Sequence, residues 1–245
     1  MELSVVIPAY NEEMRIKGIL NELNNLAEVK EIIVVVDGND KTDQIASSFS
    51  KSIVLKSSRR LGKGGALIEG IRKASGDVIA YVDADGAVPG AEVVRLARYV
   101  TNENVLVIAS RWLKTSKISK AQPMYRLFLS RGFNILTFGI LGLRLRDTQC
   151  GLKVFSPSVK DNVLPYVGTK NLFFDVSFIF NCKRRGYALR EIGIEWNDID
   201  GSKINVVKTM MIFLIYVIGL RIINSRFGKY FHHLYVKMRW LFEPV

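Results

Sequence analysis

The first half of the chain alternates short apolar runs with segments of helical periodicity. LSVVIP (3–8), EIIVVVD (31–37), SIVLKS (52–57) and DVIAYV (77–82) have the length and β-branched content of buried strands. Between them, NEEMRIKGILNELNNL (11–26) and GGALIEGIRKAS (64–75) place apolar residues near helical spacing, and another helix is expected from about Thr42. This alternation predicts an α/β fold, with a mostly parallel sheet flanked by helices.

The second half has longer apolar segments. Residues 122–145 are rich in apolar residues and predict an interfacial helix pair, with an ordinary core helix as the alternative. LKVF (152–155) and LREIGIEW (189–196) resemble strands, and FDVSFIFNCKRRG (174–186) predicts a helix. Residues 204–223 are almost wholly apolar, and a basic, aromatic tail follows them. We therefore expect a catalytic domain over 1–203 and a membrane-associated segment over 204–245.

Polar residues follow three of the predicted strands. PAYNEE (8–13), DGND (37–40) and DADG (83–86) all come at carboxyl ends of strands, where open α/β sheets bind ligands. Asp83 and Asp85 are one residue apart and share a face of an extended strand. Their mutual repulsion requires a cation between them, or a proton on one of them.

Three nucleotide sites can be compared with these motifs. A dinucleotide fold needs glycines in its first turn, which PAYNEE lacks, and LGKGGA (61–66) lacks the spacing of a P-loop. The third is a nucleotide-sugar site, where a divalent cation neutralises the leaving diphosphate. Mg²⁺ and Mn²⁺ accept one or two protein carboxylates beside substrate phosphates. The pair Asp83 and Asp85 supplies these carboxylates.

The order of motifs resembles family 2 glycosyltransferases with the GT-A (Rossmann-like) fold. The matching stretches are VVIPAYNEE, VVDGNDKT, LGKGGA, VDADG, SRW and RDTQCGLKVF, and the resemblance runs from about Leu3 to Lys203. The set is most similar to the branch that glycosylates polyprenyl phosphates. DTQCGLKVF, FFDVSF and WNDIDGSK look more like the dolichyl-phosphate glucosyltransferases than their mannosyl relatives.

The resemblance implies a nucleotide-sugar site at the sheet edge. The residues that would hold the nucleoside and line its pocket are Pro8, Ala9, Tyr10, Glu12, Asp37, Gly38, Lys63 and Gly64. Asp83 and Asp85 would bind the diphosphate and a divalent cation, Mg²⁺ or Mn²⁺, and Arg111 would face the phosphates. Two positions depart from the family pattern. Val36 stands where a first aspartate is usual, and Ala87 stands where the mannosyl branch has a glutamine that helps to hold the metal.

A phosphate acceptor changes the catalytic requirement. Its second pKa is near ~6, so it is largely dianionic at neutral pH and needs no general base. Cations must instead hold two anionic phosphates together. The candidates are Arg111, Arg146 and Lys203, with Asp147 and Gln149 in the adjacent turn. Most of these residues also have a simpler explanation. Arg146 could form a salt bridge to Asp147, and Lys203 could be a surface lysine at the start of a helix. Asp147 and Gln149 could be present for turn formation alone.

The expected activity is therefore inverting transfer of a hexose, glucose from UDP-glucose, to a polyprenyl (dolichyl) phosphate. The alternatives are mannosyl transfer from GDP-mannose, transfer to another lipid-linked saccharide, and a non-catalytic membrane adaptor that binds sugar nucleotides. The adaptor is disfavoured because binding alone does not require a set of phosphate-neutralising cations.

The net charge of +12 requires an anionic partner. No nucleic-acid-binding motif is present, so the expected partners are a nucleotide sugar, a polyprenyl phosphate and an anionic membrane surface. The tail fits an interfacial or tail-anchored element, with a single spanning helix as the alternative. The sequence from Met1 lacks signal-peptide features, and two cysteines form no disulfide framework. These features predict the cytosolic face of a membrane.

Overall fold

The computed structural model of the protein describes residues 1–120, 124–168, 171, 173–199, 206–226, 228 and 230. For residues 120, 124–129 and 206–208 only the backbone is described. Lys203, the predicted domain boundary beside it and the basic tail from position 231 onward therefore lie outside the described residues.

The described residues form nine strands. In chain order they are β1 Leu3–Ala9, β2 Val29–Val36, β3 Ser52–Lys56, β4 Val78–Tyr81, β5 Val105–Ser110, β6 Lys117–Lys120, β7 Lys153–Phe155, β8 Ala188–Gly193 and β9 Glu195–Asn197. Seven strands make the central sheet in the order β3-β2-β1-β4-β7-β5-β8. Its strands are parallel except β7, which runs antiparallel to β4 and β5. The predicted mostly parallel sheet is confirmed.

The run LREIGIEW, predicted as one strand, is two. Its first part is β8, at the edge of the central sheet, and its second part is β9, which pairs in parallel with β6 as a separate ribbon. Ile194 lies between the two strands and is buried.

Helices cover both faces of the sheet. The helices are α1 Ile16–Asn24, α2 Thr42–Ser47, α3 Gly62–Lys73, α4 Gly90–Ala97, α5 Met124–Leu141, α6 Val159–Asn162, α7 Phe174–Arg184 and α8 Val206–Ile223. Alternating side chains of β2 divide the core. Ile33 and Val35 pack in the layer of α3, α5, α7 and α8, whereas Ile32, Val34 and Val36 pack in the layer of α1 and α4. A run with both faces buried explains the unbroken apolar sequence of β2.

Helices α5 and α8 pack against each other on the outside of the first layer. Phe133 of α5 and Phe213 of α8 have ring centroids 4.2 Å apart, and Tyr216 stacks on Phe173. Residues 124–141 form one helix, so the helix pair expected over 122–145 is replaced by α5 alone in the described part. No helix among the described residues has the length and apolar character needed to cross a bilayer.

A polar groove of about 610 Å³ opens at the edge of the sheet opposite to the predicted ligand site. Asn104 and Tyr187, which line it, immediately precede β5 and β8. The remaining lining residues are Asn162, Tyr166, Asn181, Arg184, Arg185 and Asn224. None of the motifs at the carboxyl ends of the strands contributes to this groove.

Candidate active site

The loops after β1 and β2 are joined by hydrogen bonds. The backbone N–H groups of Glu12 and Glu13 donate to Thr42 Oγ1 (2.9 Å) and Asp40 Oδ2 (3.0 Å). Asn11, at φ +55°, lies against Gly38, where an added Cβ would be 2.4 Å from Asn11 Oδ1. Gly38 is therefore required for the close approach of the two loops.

Asp37, at the end of β2, is a buried carboxylate with three donors on one oxygen. Its Oδ2 accepts from Arg60 Nη1 (2.6 Å) and from the backbone N–H groups of Leu61 (2.7 Å) and Gly62 (2.8 Å). The Arg60 guanidinium lies 3.5 Å from the ring centroid of Tyr10, which is half-exposed. Two predicted nucleoside residues, Tyr10 and Asp37, are thus brought together by Arg60.

The D-x-D pair follows β4, and the structure gives it a cation. Lys63 Nζ lies 2.8 Å from Asp83 Oδ1 and 3.2 Å from Asp175 Oδ2. These two carboxylates outweigh the effect of burial and hold the pKa of Lys63 above its usual range. Burial, together with the charge of Asp83, raises the pKa of Asp85. The expected crowding of the two carboxylates is therefore present, and Lys63 relieves it on the Asp83 side.

Glu12 belongs to the same electrostatic environment. Its carboxylate makes two hydrogen bonds to Arg15, at 2.7 and 2.8 Å. Burial raises the pKa of Glu12, and the charges of Asp85 and Asp83 add to this effect. Three carboxylates therefore face the same region, with Arg15 and Lys63 as their neighbouring cations.

Asp83 packs against the backbone of Gly151 in the RDTQCG stretch. A Cβ added to Gly151 would lie 2.1 Å from Asp83 Oδ2 and 2.5 Å from Asp83 Cγ. The absence of a side chain at 151 therefore sets the position of the Asp83 carboxylate. It also joins the loop after β4 to the loop before β7.

Arg111 and Asp147 form a buried bidentate ion pair. Arg111 Nε and Nη2 donate to the two carboxylate oxygens at 2.7 and 2.9 Å, and the Arg111 backbone N–H adds a bond of 3.0 Å. Burial alone would raise the pKa of Asp147, but Arg111 outweighs it and lowers that pKa. The guanidinium carbon of Arg111 lies 6.0 Å from the ring centroid of Trp112 and 5.5 Å from that of Trp196. Arg111 therefore also fixes the turn that contains Asp147.

The salt bridge to Asp147 that was the alternative for Arg146 is made by Arg111 instead. Arg146 is exposed, while the backbone N–H groups of Arg146 and Asp147 donate to the carboxylate of Glu191. Gln149 is half-buried, and its backbone N–H donates to Asp147 Oδ1 at 3.2 Å. Turn chemistry accounts for this contact, as the alternative for these residues proposed.

The other predicted residues lie at the same sheet edge. Pro8 and Ala9 end β1, and the carbonyl of Ala9 accepts from the Asp37 backbone N–H at 3.2 Å. Gly64 is buried in the first turn of α3, next to Lys63. Cys150 is a buried free thiol whose pKa burial raises to about 12, so it is not a reactive thiolate at neutral pH.

A metal ion would have to use few protein ligands. Among the described residues, no group of three or more His, Cys, Asp or Glu side chains is arranged to hold one. Asp83 and Asp85 nevertheless fit a hard cation, because Mg²⁺ commonly takes one or two carboxylates and completes its shell with water and phosphate oxygens. Burial and the neighbouring charge of Asp83 both raise the pKa of Asp85, so a cation bound between the two carboxylates would favour their charged forms.

The sequence leaves the role of Asp175 open between orienting the acceptor site and capping its helix. Sequence reasoning missed three other charged residues of the site, Lys153, Arg15 and Arg60. Lys153 stands inside the buried strand LKVF, and Asp175 stands inside the apolar helix FFDVSFIF. Lone opposite charges in two buried elements predict an ion pair, and Lys153 does contact Asp175. Arg15 and Arg60 lie in polar loops, where no pattern separates them from surface arginines.

Comparisons with known proteins agree with this geometry. The family model described as Glycosyl transferase family 2 matches residues 4–163. The dolichyl-phosphate beta-glucosyltransferase of Saccharomyces cerevisiae is 31% identical, over 89% of this chain and 76% of the relative. The Homo sapiens enzyme of the same name is 31% identical, over 83% of this chain and 69% of the relative.

Solved structures share the fold. Glucosyl-3-phosphoglycerate synthase from Mycobacterium tuberculosis, in complex with UDP, matches with a TM-score of 0.65 and 21% identity, over 89% of this chain and 80% of that one. A crystal of the same enzyme contains Mn²⁺, UDP-glucose and phosphoglyceric acid and matches with the same TM-score. The sheet order, the charged edge and these relatives lead to one conclusion: the chain belongs to glycosyl transferase family 2, together with the dolichyl-phosphate beta-glucosyltransferases.

Proposed function

We propose that this enzyme transfers glucose from UDP-glucose to dolichyl phosphate with inversion, giving a β-linked product. The observation that carries the proposal is the charged sheet edge, where Asp83 and Asp85 lie beside Lys63 and the Asp37–Arg60–Tyr10 group. The names of the relatives at 30–31% identity support the acceptor and the sugar.

The donor nucleoside fits the group formed by Asp37, Arg60 and Tyr10. The three described donors to Asp37 all use Oδ2, which leaves Oδ1 to accept an N–H from a base. The half-exposed Tyr10 ring stacks on the guanidinium of Arg60, which contacts the Asp37 carboxylate, and so offers a flat surface near Asp37. A planar, hydrogen-bonding base such as uracil matches both features.

The diphosphate and a divalent cation fit Asp83 and Asp85. When bound, Mg²⁺ or Mn²⁺ would neutralise the charge that develops on the leaving diphosphate. Lys63 lies at the same place and orients the Asp83 carboxylate through their 2.8 Å contact. Ala87 offers no side-chain oxygen, so the protein would supply two carboxylates to the cation, and substrate phosphates and water would supply its other ligands.

The acceptor phosphate would approach as its own nucleophile. Two unit charges of like sign repel by about 4 kcal/mol at about 4 Å and an effective dielectric of about 20. The basic groups near the RDTQCG turn can offset this repulsion. Arg146 is exposed there, and Arg111 holds the turn through Asp147.

Helices α5 and α8 support a membrane surface as the place of reaction. Their exposed large apolar residues are Ile135, Phe138, Met211, Ile215 and Ile218. The spacing places them in one stripe on each helix, and the exposed arginines Arg131 and Arg221 flank the stripes. A lipid bilayer with anionic headgroups matches both the apolar stripes and the basic flanks.

A flotation assay with liposomes of neutral and anionic lipid tests this surface. Phe138→Asp/Ile215→Asp should lose most of the lipid-bound protein, because each apolar side chain contributes about 1.5–3 kcal/mol when buried. Met14→Asp is the matched control, because Met14 is 88% exposed on the loop before α1. Equal flotation of all three proteins would contradict the assignment of the surface.

A panel of radiolabelled sugar nucleotides tests the activity itself. The protein is incubated with dolichyl phosphate, Mg²⁺ and one donor at a time, and lipid-extractable label is counted. UDP-glucose should give labelled lipid. Label from GDP-mannose but not from UDP-glucose would contradict the donor assignment, and no label with any donor would contradict the enzymatic function.

A further inference from the structure

A buried group of opposite charges lies directly beneath the D-x-D pair. Asp175 of α7 is 1% exposed and has both carboxylate oxygens occupied. Its Oδ1 accepts from Tyr81 Oη at 2.7 Å and from Lys153 Nζ, and its Oδ2 lies 3.2 Å from Lys63 Nζ. A carboxylate with this coordination and burial has no oxygen free to take a proton from a substrate.

Lys153 and Tyr81 hold Asp175 in place. Both belong to neighbouring strands of the sheet centre, β7 and β4, in the register Tyr81↔Lys153. Lys153 is fully buried, and its ammonium also donates to the carbonyls of Thr148 and Cys150. The rings of Phe174 and Phe178 pack against Tyr81 at 5.9 Å. Asp175 is therefore part of the rigid core and not of a loop.

Lys63 connects this rigid group to the site. Its side chain is 18% exposed, and its ammonium is shared between Asp175 inside the core and Asp83 at the surface of the site. A divalent cation that binds Asp83 must compete with Lys63 for that carboxylate. The more strongly Asp175 attracts the Lys63 ammonium, the more weakly Lys63 competes with a cation for Asp83.

We propose that Asp175 is a positioning residue that limits the hold of Lys63 on Asp83 and so sets the affinity of the D-x-D pair for a divalent cation. This inference rests on the proposed cation site at Asp83 and Asp85. It assigns Asp175, the aspartate of FFDVSF, a role that acts through Lys63.

Titrations with Mn²⁺ alone, followed by the electron paramagnetic resonance of free Mn²⁺ on the whole protein without nucleotide, test the inference. Asp175→Asn should weaken Mn²⁺ binding about tenfold, the effect expected when one charge-assisted hydrogen bond to Lys63 is lost. Lys63→Met should tighten Mn²⁺ binding, because the competitor is gone. Tyr81→Phe leaves all charges in place and should stay within about twofold of the wild type.

The double variant Lys63→Met/Asp175→Asn separates positioning from a structural role. Without Lys63, the substitution at 175 should leave Mn²⁺ affinity within about twofold of Lys63→Met alone. If Asp175→Asn does not fold because Lys153 is left unpaired, Asp175→Asn/Lys153→Met removes both inner charges and should show the same tenfold loss.

The results distinguish failure of this inference from failure of the cation site. Wild-type affinity in Asp175→Asn, or an equal loss in the presence and absence of Lys63, would overturn the role of Asp175 while leaving the cation site standing. No Mn²⁺ binding by the wild type, with or without UDP, would overturn both.

Discussion

Gly151→Ala tests whether the position of Asp83 is set by the chain behind it. The new Cβ would lie 2.1 Å from Asp83 Oδ2, 2.5 Å from Cγ and 3.1 Å from Cβ, so the whole carboxylate must move by about 1 Å to reach ordinary contact distance. Movement of this size separates Asp83 from Lys63, now 2.8 Å away. A displacement of about 1 Å in a reacting geometry costs about 10²-fold in rate.

We therefore expect kcat/KM for UDP-glucose to fall about 10²-fold, with a loss of about 1–3 kcal/mol in the free energy of unfolding from overpacking. Initial rates of lipid glucosylation and urea denaturation measure the two effects. Gly18→Ala is the matched control. Gly18 lies in α1 with nothing within 4 Å of an added Cβ, so activity should be unchanged and stability should rise by about 0.5–1 kcal/mol. Wild-type kcat/KM in Gly151→Ala would refute the reasoning.

Two further predictions concern the arginines. Arg111→Met leaves Asp147 buried without its partner and should cost about 3–5 kcal/mol of unfolding free energy at pH 7, whereas exposed Arg146→Met should stay within about 0.5 kcal/mol. In the wild type the pKa of Asp147 is below its usual 3.8, so its contribution is present above that pH and is lost as the pH falls below it. The difference between wild type and Arg111→Met should thus grow as the pH rises from 3 to 7 in urea titrations, and a difference independent of pH would contradict the pairing. Arg60→Met should weaken UDP binding about tenfold in calorimetry, because it removes the charged partner of Asp37 and the contact to Tyr10. Arg59→Met, at an exposed neighbouring position, should leave UDP binding unchanged. Equal UDP affinities of the two variants would exclude this nucleoside site.

Much of the fold could be predicted from apolar periodicity. The buried runs at β1, β2 and β4 have charge only at their ends, so both their strand character and their common edge could be recognised. The direction of β7 could not, because three residues with the pattern KVF carry no information on which neighbours they pair with. The division of LREIGIEW into β8 and β9 could not be predicted either, because a continuous alternation of apolar residues does not show where the chain leaves the sheet.

The prediction of the site succeeded where motifs coincide with strand ends. It was incomplete where the contacts join residues that are far apart in the sequence. Arg146 is the sequence neighbour of Asp147, yet Asp147 points inward to Arg111, which is 36 positions away. The alternative of a salt bridge from Arg146 rested on adjacency alone, whereas the structure pairs Asp147 with Arg111. Lys203, the third cation candidate, lies outside the described residues and remains a prediction.

The most direct test compares the wild type with Asp85→Asn in transfer of radiolabelled glucose from UDP-glucose to dolichyl phosphate at saturating Mg²⁺. We predict lipid-extractable label with the wild type and none above background with Asp85→Asn, although both proteins unfold cooperatively in urea. Full activity of Asp85→Asn in the presence of Mg²⁺ would contradict the account of the D-x-D pair as the cation and diphosphate site.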